Sequence, residues 1–422
     1  MITSRLEFVV LVLTIIALAG GYSAFLPGGQ YAYGPQMAVE DISEAGDATK
    51  QALFILVYAL NAALLLRFVR PRAWCFIGLP LFTLLLWCFA STTWSMLPEG
   101  TNRRVVAVAG SVLVGLYAGL RFDERRLTAA LQLAAMLMVI GSGLWAVAFK
   151  SYGFDLDGYM RGLFFHKDAF GEFLGLSILV VMYRLSVLRA PLRPGLLLLT
   201  GLIICFILAG SATPIVALAG TAVTFCLTSL RQRSNGIVQS VAPLLICGAL
   251  AAAIFIGADL TGTLAEVLGR KSDLSGRIPI WNFVIPMIWE RPWLGYGYGI
   301  FWLGDRAPGA LFWYWSKQFE LHAHDGYLQL ILDAGFVGLA LFGVSLVMLI
   351  IRSAQLGGSG ATSLNRFVSM LISYILIINI SDTSFWDGNS LITGLYVWAV
   401  VRINLETWRY SVLTPVFIEA RI

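Results

Sequence analysis

The sequence predicts an all-α fold, a polytopic integral membrane protein of about twelve transmembrane helices with one large loop between spans nine and ten. Three observations lead there. Hydrophobic residues make up 58% of the 422 positions and charged residues only 13%. Mean hydropathy is +0.80. Apolar runs long enough to cross a bilayer recur from one end of the chain to the other.

The runs fall near residues 7–26, 51–66, 73–91, 105–120, 127–149, 168–183, 195–210, 214–230, 237–258, 325–351, 367–386 and 390–402. The first, with Arg5 ahead of it, has the look of a signal peptide, but so many later spans favour an uncleaved helix. Arginine sets the orientation. With the amino terminus inside, the segments on that side hold 17 of the 29 basic residues against five acidic ones, and the other side holds 12 basic and 19 acidic residues. The positive-inside rule then assigns both termini to the cytoplasm. The expected organisation is residues 1–258 as spans one to nine, 259–323 as a large periplasmic loop with interfacial helices, and 324–422 as spans ten to twelve with a cytoplasmic tail.

This topology absorbs the net charge of +5 and leaves no basic stripe to grip a phosphate backbone, so nucleic acid is not an expected partner. The five cysteines (75, 88, 205, 226 and 247) all fall in predicted spans and read as small buried apolar residues, not as a disulfide or metal framework.

Function is expected where the outer face is most elaborate. In the long loop, Ile280, Val284 and Met287 or Ile288 follow helical spacing, with Trp281, Phe283 and Trp289 interleaved, which suits a helix lying in the membrane interface. "GYGYG" at 295–299 has neither the spacing nor the preceding strand of a nucleotide fingerprint and reads as a flexible turn. Basic side chains gather on this side: Arg277 at the start of the interfacial helix, Arg161, His166 and Lys167 in "YMRGLFFHKDAFGEFLG", and Arg103 and Arg104 where the fourth span enters the membrane. Arginine forks and a lysine point charge make a clamp for phosphate or pyrophosphate. The plain alternative for each is a side chain snorkelling to lipid headgroups. Arg277 and Arg161, flanked by glycine and aromatics in loops, are the better clamp candidates.

Two of the three histidines stand in "ELHAHDGYLQLILDAGFVGLALFG" (320–343), where His324 is followed by Asp325, nine residues, Gly335, two residues and Gly338. This resembles the histidine-to-glycine pattern of the O-antigen ligase and Wzy-type polymerase superfamily, with Asp325 replacing the amide or serine often seen there. "STTWSMLPEGTNRR", "RGLFFHKDAFGEFLG", "GSATP", "SGRIPIWNFVI" and "RPWLGYGYGIFW" follow in the superfamily's order over roughly residues 90–345, and "HKDAFG" and "GSATP" look most like its exopolysaccharide polymerase branch. Asp168 stands where an asparagine is more usual.

The resemblance implies a metal-independent, inverting glycosyltransferase without a cofactor, multi-pass in the bacterial inner membrane and active on the periplasmic side. It would move a sugar chain from undecaprenyl pyrophosphate to a saccharide acceptor in exopolysaccharide or O-antigen synthesis. The alternatives are an O-antigen ligase acting on the lipid A core of lipopolysaccharide, or a lipid-linked sugar transporter. His324 would be catalytic, and Arg277, Arg161, Lys167, His166, Arg104 and Asp325 would bind substrate. Membrane lipids, a flippase and a chain-length regulator would be its other partners.

Local chemistry agrees. A sugar hydroxyl is a weak nucleophile that needs a base working near neutrality, the usual office of histidine. Fixed arginines stabilise charge developing on a departing pyrophosphate. Either Asp325 or Glu320 could orient the imidazole. In a helical segment His322 would point away from His324, since residues two apart share no face. Asp333, about 13 Å of helix below His324, calls for a polar partner such as Asn379 or Asp382, or a wet cavity. Two rival classes remain in view. A zinc site could draw on His322, His324 and His166 with a carboxylate, and a transporter would carry interrupted helices in two repeated halves, of which the sequence shows no trace.

Overall fold

The computed structural model describes residues 2–25, 48–155, 157–230, 244–246, 248–249, 252–253, 277–316, 320–356 and 362–419. Its α-helices of more than one turn, among the described residues, are α1 (Ile2–Leu18), α2 (Ala48–Phe68), α3 (Leu79–Ala90), α4 (Pro98–Arg121), α5 (Glu124–Ala148), α6 (Lys167–Ser186), α7 (Leu192–Ala209), α8 (Ala212–Leu230), α9 (Arg277–Glu290), α10 (Ala310–Ser316), α11 (Gly326–Leu356), α12 (Thr362–Ile378) and α13 (Leu391–Glu419). A helix stands at each expected span except 237–258, which lies mostly outside the described residues. Six described helices are long and apolar enough to cross a membrane, or seven if Pro71–Ile77 and Leu79–Thr93, bent by 87°, make one span. Leu79, Val147, Leu197 and Ile207 are among the large apolar side chains left exposed on their outer faces, as lipid contact requires. The chain is a multi-pass helical membrane protein.

The bundle core is built on α4 and α13. Both glycines of "GLYAG" in α4 face α13, where a methyl on Gly115 would lie 2.5 Å from the Gly394 carbonyl oxygen and one on Gly119 2.8 Å from Val401 Cβ. Small residues four apart let backbones approach where no hydrophobic effect drives helices together. At the expected cytoplasmic end, Arg121 grips the Glu7 carboxylate through Nε at 3.0 Å and Nη2 at 2.9 Å, and the Tyr117 hydroxyl donates to it at 3.0 Å, tying α1 to α4. Cys88 and Cys205 are buried as expected, but Cys75 and Cys226 are exposed, and Cys247 lies outside the described residues.

The segment from α9 up to α11 carries a second apolar cluster, including Ile280, Val284, Ile288, Phe301, Trp302, Phe312, Trp313 and Ala323. It joins the bundle at a break in α11. Gly335 has φ 70° and ψ −175° inside that helix, and the stretch 292–296 crosses the gap. Phe336 N–H donates to the Pro292 carbonyl at 2.7 Å, Tyr296 N–H to the Leu332 carbonyl at 2.7 Å, and the Trp87 indole N–H to the Ala334 carbonyl at 2.9 Å. Groups released by the break are thus paired by the crossing chain and one indole, as a helix at membrane depth demands. "GYGYG" is a turn, with Gly295, Gly297 and Gly299 all at positive φ, but it is not a flexible one. Tyr296 and Tyr298 are buried, and the Tyr298 hydroxyl donates to the Trp386 carbonyl at 2.5 Å.

A methyl on Gly335 would lie 2.0 Å from the Trp293 carbonyl oxygen, at a backbone conformation that side chains disfavour. Gly335→Ala should therefore cost about 3 kcal/mol or more. Gly343→Ala, which meets nothing within 4 Å, should be neutral. Thermal midpoints of the two purified proteins in detergent check this, and a wild-type midpoint for Gly335→Ala would rule out a tight crossing.

Candidate functional site

Five segments distant in sequence meet at the end of the bundle expected to face outward. His166 precedes α6 as its N-cap, its Nδ1 3.2 Å from the Asp168 N–H and 3.0 Å from Asp168 Oδ2. A neutral Nδ1 accepts from the amide, and a protonated one faces the carboxylate. Asp168 Oδ1 accepts from the Ser211 hydroxyl at 2.6 Å, which joins "HKDAFG" to "GSATP". Gly171 makes that approach possible, since a methyl there would sit 2.9 Å from Ser211 Cβ. Two residues on, Thr213 Oγ1 accepts from Ser381 at 2.9 Å and from Arg277 Nη2 at 3.4 Å. Arg277 opens the described part of α9 and brings its guanidinium to Thr213.

The two histidines lie on a non-helical stretch between α10 and α11. His324 adopts a left-handed backbone with φ 50°, and its Nε2 lies 3.0 Å from Glu320 Oε2. Glu320, not Asp325, thus orients the imidazole. Because the stretch is not helical, His322 does not point away from its neighbour. The rings touch, centroids 4.2 Å apart, and His322 Nδ1 accepts the His324 N–H at 3.3 Å. Surrounding protein desolvates His322 and, with the charges of His324, Arg277 and His166 and against the opposing pull of Asp168, holds its imidazole well below the ordinary histidine range. Charge from Arg277 and His324 also reaches Asp382, on the segment after α12. Contacts tie these segments together: Thr213 meets both Arg277 and Ser381, Ser211 meets Asp168, and Trp281 of α9 donates to the Ala323 carbonyl between the two histidines.

Other expected site residues are engaged elsewhere. Arg161 is buried, its Nε donating to the Tyr152 carbonyl at 2.8 Å and its Nη1 to that of Phe165 at 3.3 Å. The guanidinium folds the loop ahead of α6 because those carbonyls need donors. Lys167 turns back to Asp155, 3.9 Å away, and over the Tyr159 ring at 4.1 Å. Arg104 lies in a different neighbourhood, its stem against Gly299 and its charge felt by Tyr298 and Asp387. Asp325 caps α11, accepting the N–H groups of Tyr327 and Leu328 at 2.8 Å each. Asp333 pairs with neither Asn379 nor Asp382. It accepts from Gln329 Nε2 at 3.0 Å beside the break. Among the described residues no group of three or more His, Cys, Asp or Glu has metal-holding geometry.

Comparison with known proteins agrees with the pattern of motifs. A family model described as O-antigen ligase matches residues 196–343, a range that includes Arg277, His324, Gly335 and Gly338. The chain is similar to the O-antigen ligase and Wzy-type polymerase superfamily, near its exopolysaccharide branch. It is 26% identical over 283 residues to the exopolysaccharide production protein ExoQ of Rhizobium meliloti, covering 62% of this chain and 63% of that one. It is 27% identical over 147 residues to a Rickettsia prowazekii protein named "Putative polysaccharide ligase RP358", covering 33% of this chain and 35% of that one. The matches thus span less than two thirds of these relatives' lengths.

The depressed His322 has a consequence for stability. An unfolded histidine takes up a proton near pH 6.5, whereas the folded one resists it, so the folded state binds fewer protons below that pH and stability falls as pH falls. The thermal midpoint should drop between about pH 7 and pH 5, and His322→Gln should flatten that slope. An unchanged slope in the variant would show that His322 does not titrate this way.

Proposed function

We propose that this protein is a membrane glycosyltransferase that transfers or polymerises undecaprenyl-pyrophosphate-linked oligosaccharide units in exopolysaccharide synthesis. The observation that carries this reading is the Glu320–His324 pair on a loop tied, through the Trp281 indole and the Ala323 carbonyl, to the helix that bears Arg277. With Nε2–H directed at the Glu320 carboxylate, the His324 Nδ1 lone pair is left as the base, a tautomer assigned from that hydrogen bond. The acceptor hydroxyl oxygen attacks the anomeric carbon as its proton passes to Nδ1. The bond from that carbon to the pyrophosphate oxygen breaks, and its electron pair leaves with undecaprenyl pyrophosphate. Attack opposite the leaving group inverts the anomeric centre. Arg277 stabilises charge on the departing oxygen, and no step calls for a metal ion. His166 extends the positive side of the site. Arg161, Lys167, Asp325 and Arg104 support the surrounding structure in this reading.

The distribution of charge favours the periplasmic face of the inner membrane for this site. A reporter fused near Asp305 should work only in its extracytoplasmic form, and activity of a cytoplasmic reporter there would reverse the topology.

His324→Ala should lower turnover per folded molecule by about 10²-fold or more. Arg277→Ala should act on the same step, since it serves the leaving group. The test is polymer formed per folded protein in vesicles supplied with lipid-linked oligosaccharide from the source cells, and near-normal turnover in His324→Ala would end the assignment. In cells carrying only that variant, single lipid-linked units should accumulate. The family model's description as a ligase favours a second reading, under which long polymer would remain on the lipid carrier instead.

A further inference from the structure

The segment that carries His324 is held by its middle residue. Ala323 is fully buried, and both of its backbone polar groups are taken by side chains. Its N–H donates to Gln329 Oε1 at 3.0 Å, and its carbonyl accepts from the Trp281 indole at 3.1 Å. Gln329 stands one turn into α11 and is itself fixed, because Oε1 also accepts from the Trp302 indole at 3.2 Å while Nε2 donates to Asp333 at 3.0 Å. Two N–H donors converging on one amide atom determine which end is oxygen. Trp281 lies four residues after Arg277 on α9, hence on the same face. One indole therefore links the helix bearing the cation to the loop bearing the base. On the other side of His324, Asp325 is locked into the start of α11. His324 keeps its left-handed backbone between two anchored neighbours.

We infer that Gln329 and Trp281 are positioning residues for transfer, fixing the His324 imidazole at Glu320 and in register with Arg277. This rests on the glycosyltransferase reading. Neither residue reaches the substrate, and each acts through Ala323. Asp333, buried beside the break in α11, acquires a task in this arrangement. It orients the Gln329 amide so that the oxygen faces the loop.

The test uses full-length protein in vesicles with lipid-linked oligosaccharide from the source cells as donor. Gln329→Met keeps volume and removes the amide, and Trp281→Phe keeps a ring and removes only the N–H. Each should lower kcat by about 10-fold to 100-fold, the scale of a small misplacement of reacting groups. KM for the donor should stay within about twofold, and kcat is taken per folded molecule, because Gln329→Met strands buried polar partners and lowers the thermal midpoint. Wild-type kcat in both variants, with His324→Ala inactive, would overturn the inference and leave the glycosyltransferase reading intact. A loss that tracks the folded fraction, or that lies in KM alone, would also overturn it, making these bonds merely structural. Normal turnover in His324→Ala would instead remove the reading on which the inference rests.

Discussion

The arrangement depends on one constraint, that a helix interrupted within a membrane protein must find partners for the backbone groups it releases. At Gly335 those partners are the chain's own residues 292–296 and the Trp87 indole. A water-filled break would leave a cavity and a mobile loop, whereas a chain-filled break converts the loop into a fixed layer. "GYGYG" is then pressed between Leu332, Ser95 and Arg104, with no room for a side chain at any of its glycines. The layer of α9 and α10 rests on this anchor, and it carries Arg277 and the histidine segment to the start of α11.

The site is built from opposed charges at modest spacing, with no single strong bond. His166 and Asp168, Glu320 and His324, and Arg277 with Thr213 each make local contacts. Burial and neighbouring positive charge resist protonation of His322 beside them, which limits the positive charge gathered at the site. A pyrophosphate arriving there would meet preorganised donors, and it is such prior ordering, not strength of contact, that lowers a barrier.

The sequence made the helices legible because a bilayer demands long apolar runs, and such runs are visible without tertiary information. An ordered set of motifs singled out His324 and Gly335, and the structure places the first on the loop before α11 and the second at that helix's break. The fate of individual cations was not legible. Nothing in "YMRGLFFHKDAFG" shows that the Arg161 guanidinium is consumed by the carbonyls of Tyr152 and Phe165, since that depends on how the loop from 149 to 165 folds back. The contact of Lys167 with Asp155 was not legible for the same reason, Asp155 lying outside the motif. Asp325 did carry a signal that went unused, being an aspartate directly ahead of a helical run, a common N-cap. Gln329 and Trp281 had no local mark, for their role exists only through Ala323.

The most direct measurement is an experimental structure of the full-length protein with undecaprenyl pyrophosphate bound in a lipid environment. The account predicts the diphosphate against Arg277 and the first turn of α9, with His324 facing the position of the lost sugar and still paired with Glu320. A diphosphate seated at Arg104, or one whose phosphorus atoms lie on the far side of the Gly335 crossing from His324, would contradict it.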